Sequence, residues 1–444
     1  MLQSFRFANH QSFRDEQQLN LMPPFASDHP SLDDQRPVSI AGVFGANASG
    51  KSNALNALAF LQYLVLQSDR EVEPGQGLQR TPFRLVRTIA EQPSRYVVDL
   101  LLDGERHTYG VTLDDERILE EWLVRYALSD RYDRKGRETT IFERTGDEYR
   151  WGHDYKARSD LPFFASITPA TALFLSTAAR ARLGRGPSSS TASASGEDLP
   201  AQLHWVYTWF RKLTFRRPSS GYSSRYSNRF TRLEDQATRD RLVRLLSAAD
   251  FGIADIEIAP DVFDSEDAPS LAGRRLTRAP RLLFRHHGAD DGVVLDQREE
   301  SLGTMQLLDL AVSAIRVLDS GGLLAVDEVD SSLHPLLTAR FINLFRSSQT
   351  NPNNAQLLFT SHDATLLGHL DGEQIVCRDE IWFTEKNQEG LSSLYSLAEF
   401  KPRKSGENWE RRYLNGAYGG IPELSMNLFE MALRARGDID GEEG

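Results

Sequence analysis

The chain has 444 residues, with 51 Lys plus Arg against 63 Asp plus Glu and a formal net charge of −12. That balance excludes a nucleic-acid coat acting by bulk electrostatics, so any nucleic-acid contact needs a local basic patch. The single cysteine, Cys377, excludes an intrachain disulfide framework and fits a reducing cytoplasm.

Residues 1–7 alternate polar and apolar like an edge strand, and QQLNLMP (17–23) reads as its partner. MLQSFRFANHQSF shows no leader pattern, and ALNALAFLQYLVL (54–66) is too short to span a bilayer, so no membrane contact is expected. PVSIAGVF (37–44) is a continuous apolar run, the pattern of a buried parallel strand, and a helix is expected from about Ser52. Strands at 95–128, broken by the Asp103-Gly104 turn, and at 139–152 predict an antiparallel sheet of hairpins. PSSSTASASG (187–196) reads as a surface loop, followed by helices at 199–213 and 232–248 without a heptad pattern. After a hairpin at 281–297, the pattern turns α/β. It predicts a helix (304–318), a strand (322–328), a helix (335–348) and strands at 355–363 and 380–386, with a last helix near 423–435 and an acidic tail.

The loop GANASGKS (45–52), set between a buried strand and a helix, fits the phosphate-binding pattern G-x-x-x-x-G-K-[ST]. Gly45 and Gly50 permit the backbone angles that let consecutive N–H groups curl round an anion, and the helix start adds its positive end. Lys51 is placed for the β- and γ-phosphates and the Ser52 hydroxyl for Mg²⁺, with Asn47 and Asn53 in the same loop as further binding residues. GLLAVDEVDSSLHP (322–335) ends an apolar strand on Asp327, a metal-holding carboxylate, and Glu328, placed to deprotonate an attacking water. LLFTSHD (357–363) ends the adjacent strand at His362, within reach of a γ-phosphate, and EESLGTMQLLDLAV (299–312) opens a capped helix on a Ser-x-Gly turn.

In this order the four segments resemble the ABC-type ATPase heads of the SMC and OLD families. The resemblance implies an α/β P-loop NTPase fold with a mixed-sheet core, an antiparallel β lobe and a helical insertion. It implies ATP and Mg²⁺ as ligands, with Asp327 and Glu328 as the Walker B pair and Glu328, His362 and Lys51 as catalytic groups. Ser301 and Gly303 match the signature motif, Asp330 the D-loop and His362 the switch histidine. Asn9 and Phe13, in NHQSFRDE (9–16), are weaker candidates for approach to adenine, and Gln79 is a candidate Q-loop residue. The usual signature L-S-G-G-Q is replaced by ESLGTMQ, which is similar to the smaller AAA-type ABC ATPases of bacterial defence loci, the PARIS, Septu and Rlo-type systems among them.

The implied organisation is an N-terminal half of the head at 1–180, a basic helical insertion at 181–250 and a C-terminal half at 251–444. In such heads the signature of one subunit closes on the ATP of another, so a homodimer or higher homo-oligomer is implied. Too little chain follows His362 for an added TOPRIM nuclease domain, which implies a separate nuclease or toxin effector, possibly of TOPRIM type. The implied role is a cytoplasmic sensor or scaffold in anti-phage defence. The alternative is a DNA-repair or chromosome-maintenance ATPase, which long coiled-coil arms would favour; a transporter ATPase would need a standard signature.

Residues 180–232 hold ten Arg or Lys against Glu197 and Asp198, interleaved with Trp205, Trp209, Phe215, Tyr222 and Tyr226. That pattern suits DNA, RNA or an acidic partner, and it equally suits a solvated insertion whose aromatics pack internally. Asp438-x-Asp440 has no preceding strand and reads as part of the acidic tail, and His286 and His287 read as structural.

Overall fold

In the computed structural model the described residues are 1–25, 28–29, 36–71, 77–127, 137–183, 200–217, 233, 235–249, 252–259, 281–290, 292–403 and 406–422. The expected loop at 187–196, the helix near 423–435 and the acidic tail lie outside them. In chain order the elements begin β1 (Leu2–Ala8), β2 (Gln17–Asn20), β3 (Ile40–Gly45), α1 (Lys51–Glu71), α2 (Arg87–Ala90), β4 (Ser94–Leu102), β5 (Glu105–Leu113) and β6 (Ile118–Ala127). There follow β7 (Arg137–Thr145), β8 (Glu148–Trp151), α3 (Asp160–Ile167), α4 (Phe174–Leu183), α5 (Ala201–Lys212), β9 (Thr214–Arg216), α6 (Gln236–Ala248), β10 (Ile253–Ala259), β11 (Arg281–His286) and β12 (Leu295–Asp296). The last are α7 (Leu302–Ser320), β13 (Leu323–Val326), α8 (Pro335–Asn343), β14 (Gln356–Ser361), β15 (His369–Leu370), β16 (Glu373–Gln374), β17 (Ile381–Lys386), β18 (Ser392–Ser396) and α9 (Trp409–Leu414).

Two large sheets organise the chain. The first, in the order β2-β1-β4-β5-β6-β7-β8, is antiparallel throughout. The Asp103-Gly104 turn joins β4 to β5 with positive φ at both residues, as a tight hairpin requires. The alternation at the N-terminus predicts an edge strand, but β1 is interior, paired with β2 on one side and β4 on the other. Its apolar Leu2, Phe5 and Phe7 enter the core, while its polar Ser4 is buried by donating to Asp99 at 2.6 Å.

The second sheet runs β18-β17-β3-β14-β13-β9, with β17, β3, β14, β13 and β9 parallel and β18 antiparallel at one edge. Its β3 and β14 are buried along their whole length, as expected of strands covered on both faces. One face and α1, α4 and α5 share a core with the antiparallel sheet, through residues such as Leu58, Leu61, Tyr96, Tyr109 and Phe210. The other face is covered by α6, α7 and α8, through Leu242, Leu310, Ala314 and Ile342. Each such large apolar side chain stabilises the fold by about 1.5–3 kcal/mol when removed from water.

Residues 181–250, expected as a helical insertion, contribute β9 to the edge of this second sheet, and α5 packs Val206 and Phe210 into the core shared with α1. The helix expected at 335–348 ends at Asn343. Among the described residues no helix is long and apolar enough to cross a membrane.

Candidate functional site

The parallel strands β3, β13 and β14 bring the expected motifs to one edge of the sheet, because each strand ends in its motif at the same level. The register pairs Ser361 with Phe44 and Phe359 with Val326. The loop after β3 has φ of 153° at Gly45 and 118° at Gly50, a region that favours glycine. A Cβ on Gly45 would stand 2.4 Å from the Thr384 carbonyl oxygen, and one on Gly50 2.7 Å from Ser392 Oγ. Both positions therefore demand glycine on conformation and on space. Around them, Ser49 Oγ and Thr384 Oγ1 lie 2.6 Å apart, and Ser392 Oγ donates to the Ser49 carbonyl at 2.7 Å.

Lys51 Nζ lies inside the curl of the loop and donates to the carbonyls of Gly45 at 2.6 Å and Ala46 at 3.0 Å. Burial lowers its pKa below that of an ordinary lysine, against the opposing pull of Glu328, Asp330 and Asp327. Asn47 is exposed at the loop tip, while Asn53 Nδ2 donates to Ser12 Oγ at 2.7 Å.

A hydrogen-bonded chain connects the loop to the second motif. Ser52 Oγ donates to Asp327 Oδ1 at 2.9 Å, and Thr360 Oγ1 donates to the same oxygen at 2.7 Å. Thr360 Oγ1 also accepts the Glu328 N–H at 2.7 Å, so one hydroxyl on β14 positions both carboxylate residues at the tip of β13. Glu328 is exposed and has φ of 53°, strained for a residue with a side chain, as active-site residues often are. His362 Nδ1 sits 3.0 Å from Asp330 Oδ2, and Asp330 Oδ1 is buried without a hydrogen-bond partner. A hydroxyl on a carboxylate at a strand tip, beside a glycine cradle and a lysine, is a donor set that fits a phosphate-bound divalent cation.

Ser301 caps α7, accepting the Thr304 N–H at 3.0 Å, with Leu302 76% exposed beside it. Ser313 on the same helix bonds Arg216, which pairs with Val326. From Ser313 back to Ser301 is twelve residues, 313 minus 301, or about 18 Å of helix. Ser301 and Gly303 thus stand at the exposed start of α7, and the hydrogen bonds of Ser301 run to its own helix rather than to the loop at 45–53.

Asn9 and Phe13 are not placed for a ligand. Asn9 is 4% exposed, its amide donates to the carbonyls of Ile89 and Gln92, and its oxygen accepts the Phe83 N–H, which fixes the turn after β1. Phe13 is fully buried edge-on against Phe7. Gln79 is exposed between the buried Leu78 and Arg80. In the basic segment, Arg180 pairs with Asp69, Lys212 donates to the Ser320 carbonyl, Trp209 is buried and Trp205 meets His107. These contacts favour internal packing for that part. The side chains of Arg182, Arg185, Arg225, Arg229, Arg232, Tyr222 and Tyr226 lie outside the described ones. His286 pairs with the buried Glu300 at 2.7 Å, next to Ser301.

Sequence reasoning missed Thr360, although it stands inside LLFTSHD; a hydroxyl two residues before the histidine was the available signal. It missed the roles of Thr384 and Ser392, on β17 and β18, in packing against the glycine loop. It also missed a second ligand-type cluster, His29, Cys377 and Glu380, whose ligand atoms lie within 4.8 Å of one another. There Arg346 already supplies the cation, bonding both Glu380 oxygens at 3.1 and 2.7 Å and Cys377 Sγ at 3.4 Å.

The α/β fold, with its glycine loop between a buried parallel strand and a helix, is that of a P-loop NTPase. Residues 40–368 match the family described as "AAA domain, putative AbiEii toxin, Type IV TA system", and the chain belongs to that family. Among solved structures it is similar to the Smc head domain with an extended coiled coil bound to the C-terminal domain of ScpA derived from Pyrococcus furiosus. That match has 11% identity and a TM-score of 0.40, covering 90% of this chain and 97% of that one. The Smc head domain with a coiled coil and joint derived from Pyrococcus yayanosii matches with 10% identity and a TM-score of 0.42, covering 90% and 99%. No curated protein matches the chain.

Proposed function

We propose that the chain binds and hydrolyses MgATP between two copies of itself. In this reading it serves as the sensor or scaffold subunit of an anti-phage defence complex that controls a separate nuclease or toxin. The observation that carries the ATPase reading is the chain of hydrogen bonds from Ser52 through Asp327 and Thr360 to Glu328. Ser52 and Asp327 would hold Mg²⁺, which supplies charge neutralisation at the phosphates. The backbone N–H groups of the 45–50 loop and Lys51 bind the phosphates. Glu328 takes a proton from water as the water oxygen bonds the γ-phosphorus; the bond to the β–γ bridging oxygen breaks and ADP leaves with its electron pair. His362, oriented by Asp330, donates to a γ-phosphate oxygen.

Dimerisation is supported by the start of α7, where Ser301 and Leu302 are exposed and Ser301 bonds Thr304 of its own helix. A two-fold axis would give two composite sites, each closed by the partner's α7. The defence role is supported by the family's description, which names a toxin of a type IV toxin–antitoxin system.

The test compares Glu328→Gln with Lys51→Ala. Glu328→Gln is expected to keep ATP affinity, lose about 10²–10⁴-fold in turnover and accumulate as an ATP-dependent dimer by mass. Lys51→Ala is expected to lose ATP binding. Wild-type turnover in Glu328→Gln would remove Glu328 as the base. Co-purification of ATP-locked Glu328→Gln from its native host should bring down an effector; DNA or repair proteins instead would support chromosome maintenance.

A further inference from the structure

We propose that Arg217 reaches the terminal phosphate of the nucleotide from within its own subunit, leaving a resting contact on Asn56. The inference rests on the ATP reading given above. Edge strand β9 runs parallel to β13 with Arg216 opposite Val326, and the Arg216 carbonyl accepts the Asp327 N–H at 2.7 Å. Arg217, the next residue along, therefore emerges level with Asp327. Its guanidinium donates to Asn56 Oδ1 on α1. Asn56 follows Ser52 by four residues, so the two share one face of α1 with Cβ atoms about 5–6 Å apart. Ser52 in turn donates to Asp327. Arg217 is thus about one helical turn from the hydroxyl and carboxylate that would hold the metal beside the phosphates.

Two properties of the site favour the move. Asp327, Glu328 and Asp330 gather at the strand tip against Lys51, and MgATP brings more negative charge, so a further cation lowers the energy of the filled site. Arg217 is exposed, and among the described residues its hydrogen-bond partner is a neutral amide, a weaker acceptor than a phosphate oxygen. The planar guanidinium suits two oxygens of one phosphate.

The test titrates fluorescent ATP and ADP analogues, with Mg²⁺, into the full chain and its Arg217→Ala, Arg217→Lys and Asn56→Ala variants, with thermal unfolding as the folding control. Arg217→Ala is expected to weaken ATP about tenfold, the loss of one charge-assisted contact, and ADP less than about twofold. Arg217→Lys should recover part of the loss, and Asn56→Ala should bind ATP no more weakly than wild type. Unchanged ATP affinity in Arg217→Ala, or an equal loss for ATP and ADP, would overturn the proposal. So would a loss in Asn56→Ala that matches Arg217→Ala, since the contact would then be structural. A wild-type chain that binds no ATP removes both this inference and the ATPase reading, whereas binding that ignores Arg217 removes only this one.

Discussion

The antiparallel sheet and the tip of the parallel sheet both bury carboxylates, and they treat them differently. Asp99 accepts from Ser4 at 2.6 Å, Thr108 at 2.5 Å and Arg106 at 3.1 Å; these bonds hold its pKa below the ordinary value although burial pushes the other way. Glu121 is fully buried, which raises its pKa, yet it accepts from Tyr109 and from the N–H groups of Phe174 and Leu175, with Arg144 at 3.9 Å. Every neighbour there is spent on the fold. At the parallel tip Asp327 receives two hydroxyls on one oxygen, Asp330 keeps a buried oxygen without a partner, and Glu328 stands exposed at positive φ. Of these carboxylates, the saturated ones serve the architecture, and the less saturated ones at the converging strand ends are those the proposed nucleotide site would use.

The comparison breaks most sharply at Glu121. Glu121→Ala leaves the N–H groups of Phe174 and Leu175 and the Tyr109 hydroxyl without their acceptor, and the buried Arg144 guanidinium, still bonded to the carbonyls of Gly146, Ala172 and Pro169, without its counter-charge. It should cost about 3–5 kcal/mol of stability in chemical denaturation. ATP affinity of the folded protein should stay unchanged; a loss of binding without a loss of stability would erase the distinction between the two regions.

A second test sharpens it by pH. Burial pushes the pKa of His10, bonded to Tyr96 at 2.8 Å, down to about 4. The unfolded histidine titrates near 6.5, so its contribution to stability is complete above that pH and falls as pH drops towards 4. Wild type should lose roughly 3 kcal/mol more than His10→Gln over that window. Parallel pH–stability curves for the two proteins would show that His10 does not carry the effect.

The smallest effect is expected at Thr360. Thr360→Val removes the hydroxyl that positions Asp327 and Glu328, and turnover should fall about 10–100-fold, with Thr360→Ser restoring most of it. Because this hydroxyl serves the unsaturated tip, ATP binding should change less than turnover. A Thr360→Ser variant as slow as Thr360→Val would show that the methyl group, not the hydroxyl, matters there.

The chain alone determined what depends on neighbours in sequence. The glycines at 45 and 50, the Asp-Gly turn at 103–104, the Ser301 cap and the apolar runs of β3, β13 and β14 state their conformations locally. Parallel strands that each end in a motif then gather Lys51, Ser52, Asp327 and Glu328 at one edge, so the proximity of these residues in the candidate site was legible from residue types and order. Tertiary structure decided what depends on which surfaces meet. It placed β1 inside its sheet, where an alternating strand gained a buried Ser4–Asp99 bond that no local pattern records. It withdrew Asn9 and Phe13 into packing. It brought β9 to the sheet edge and laid Arg217 on Asn56, residues 161 positions apart in the chain. Local conformational preference acts over a few residues, while a hydrogen bond needs two groups within about 3 Å, and only the folded backbone supplies that proximity.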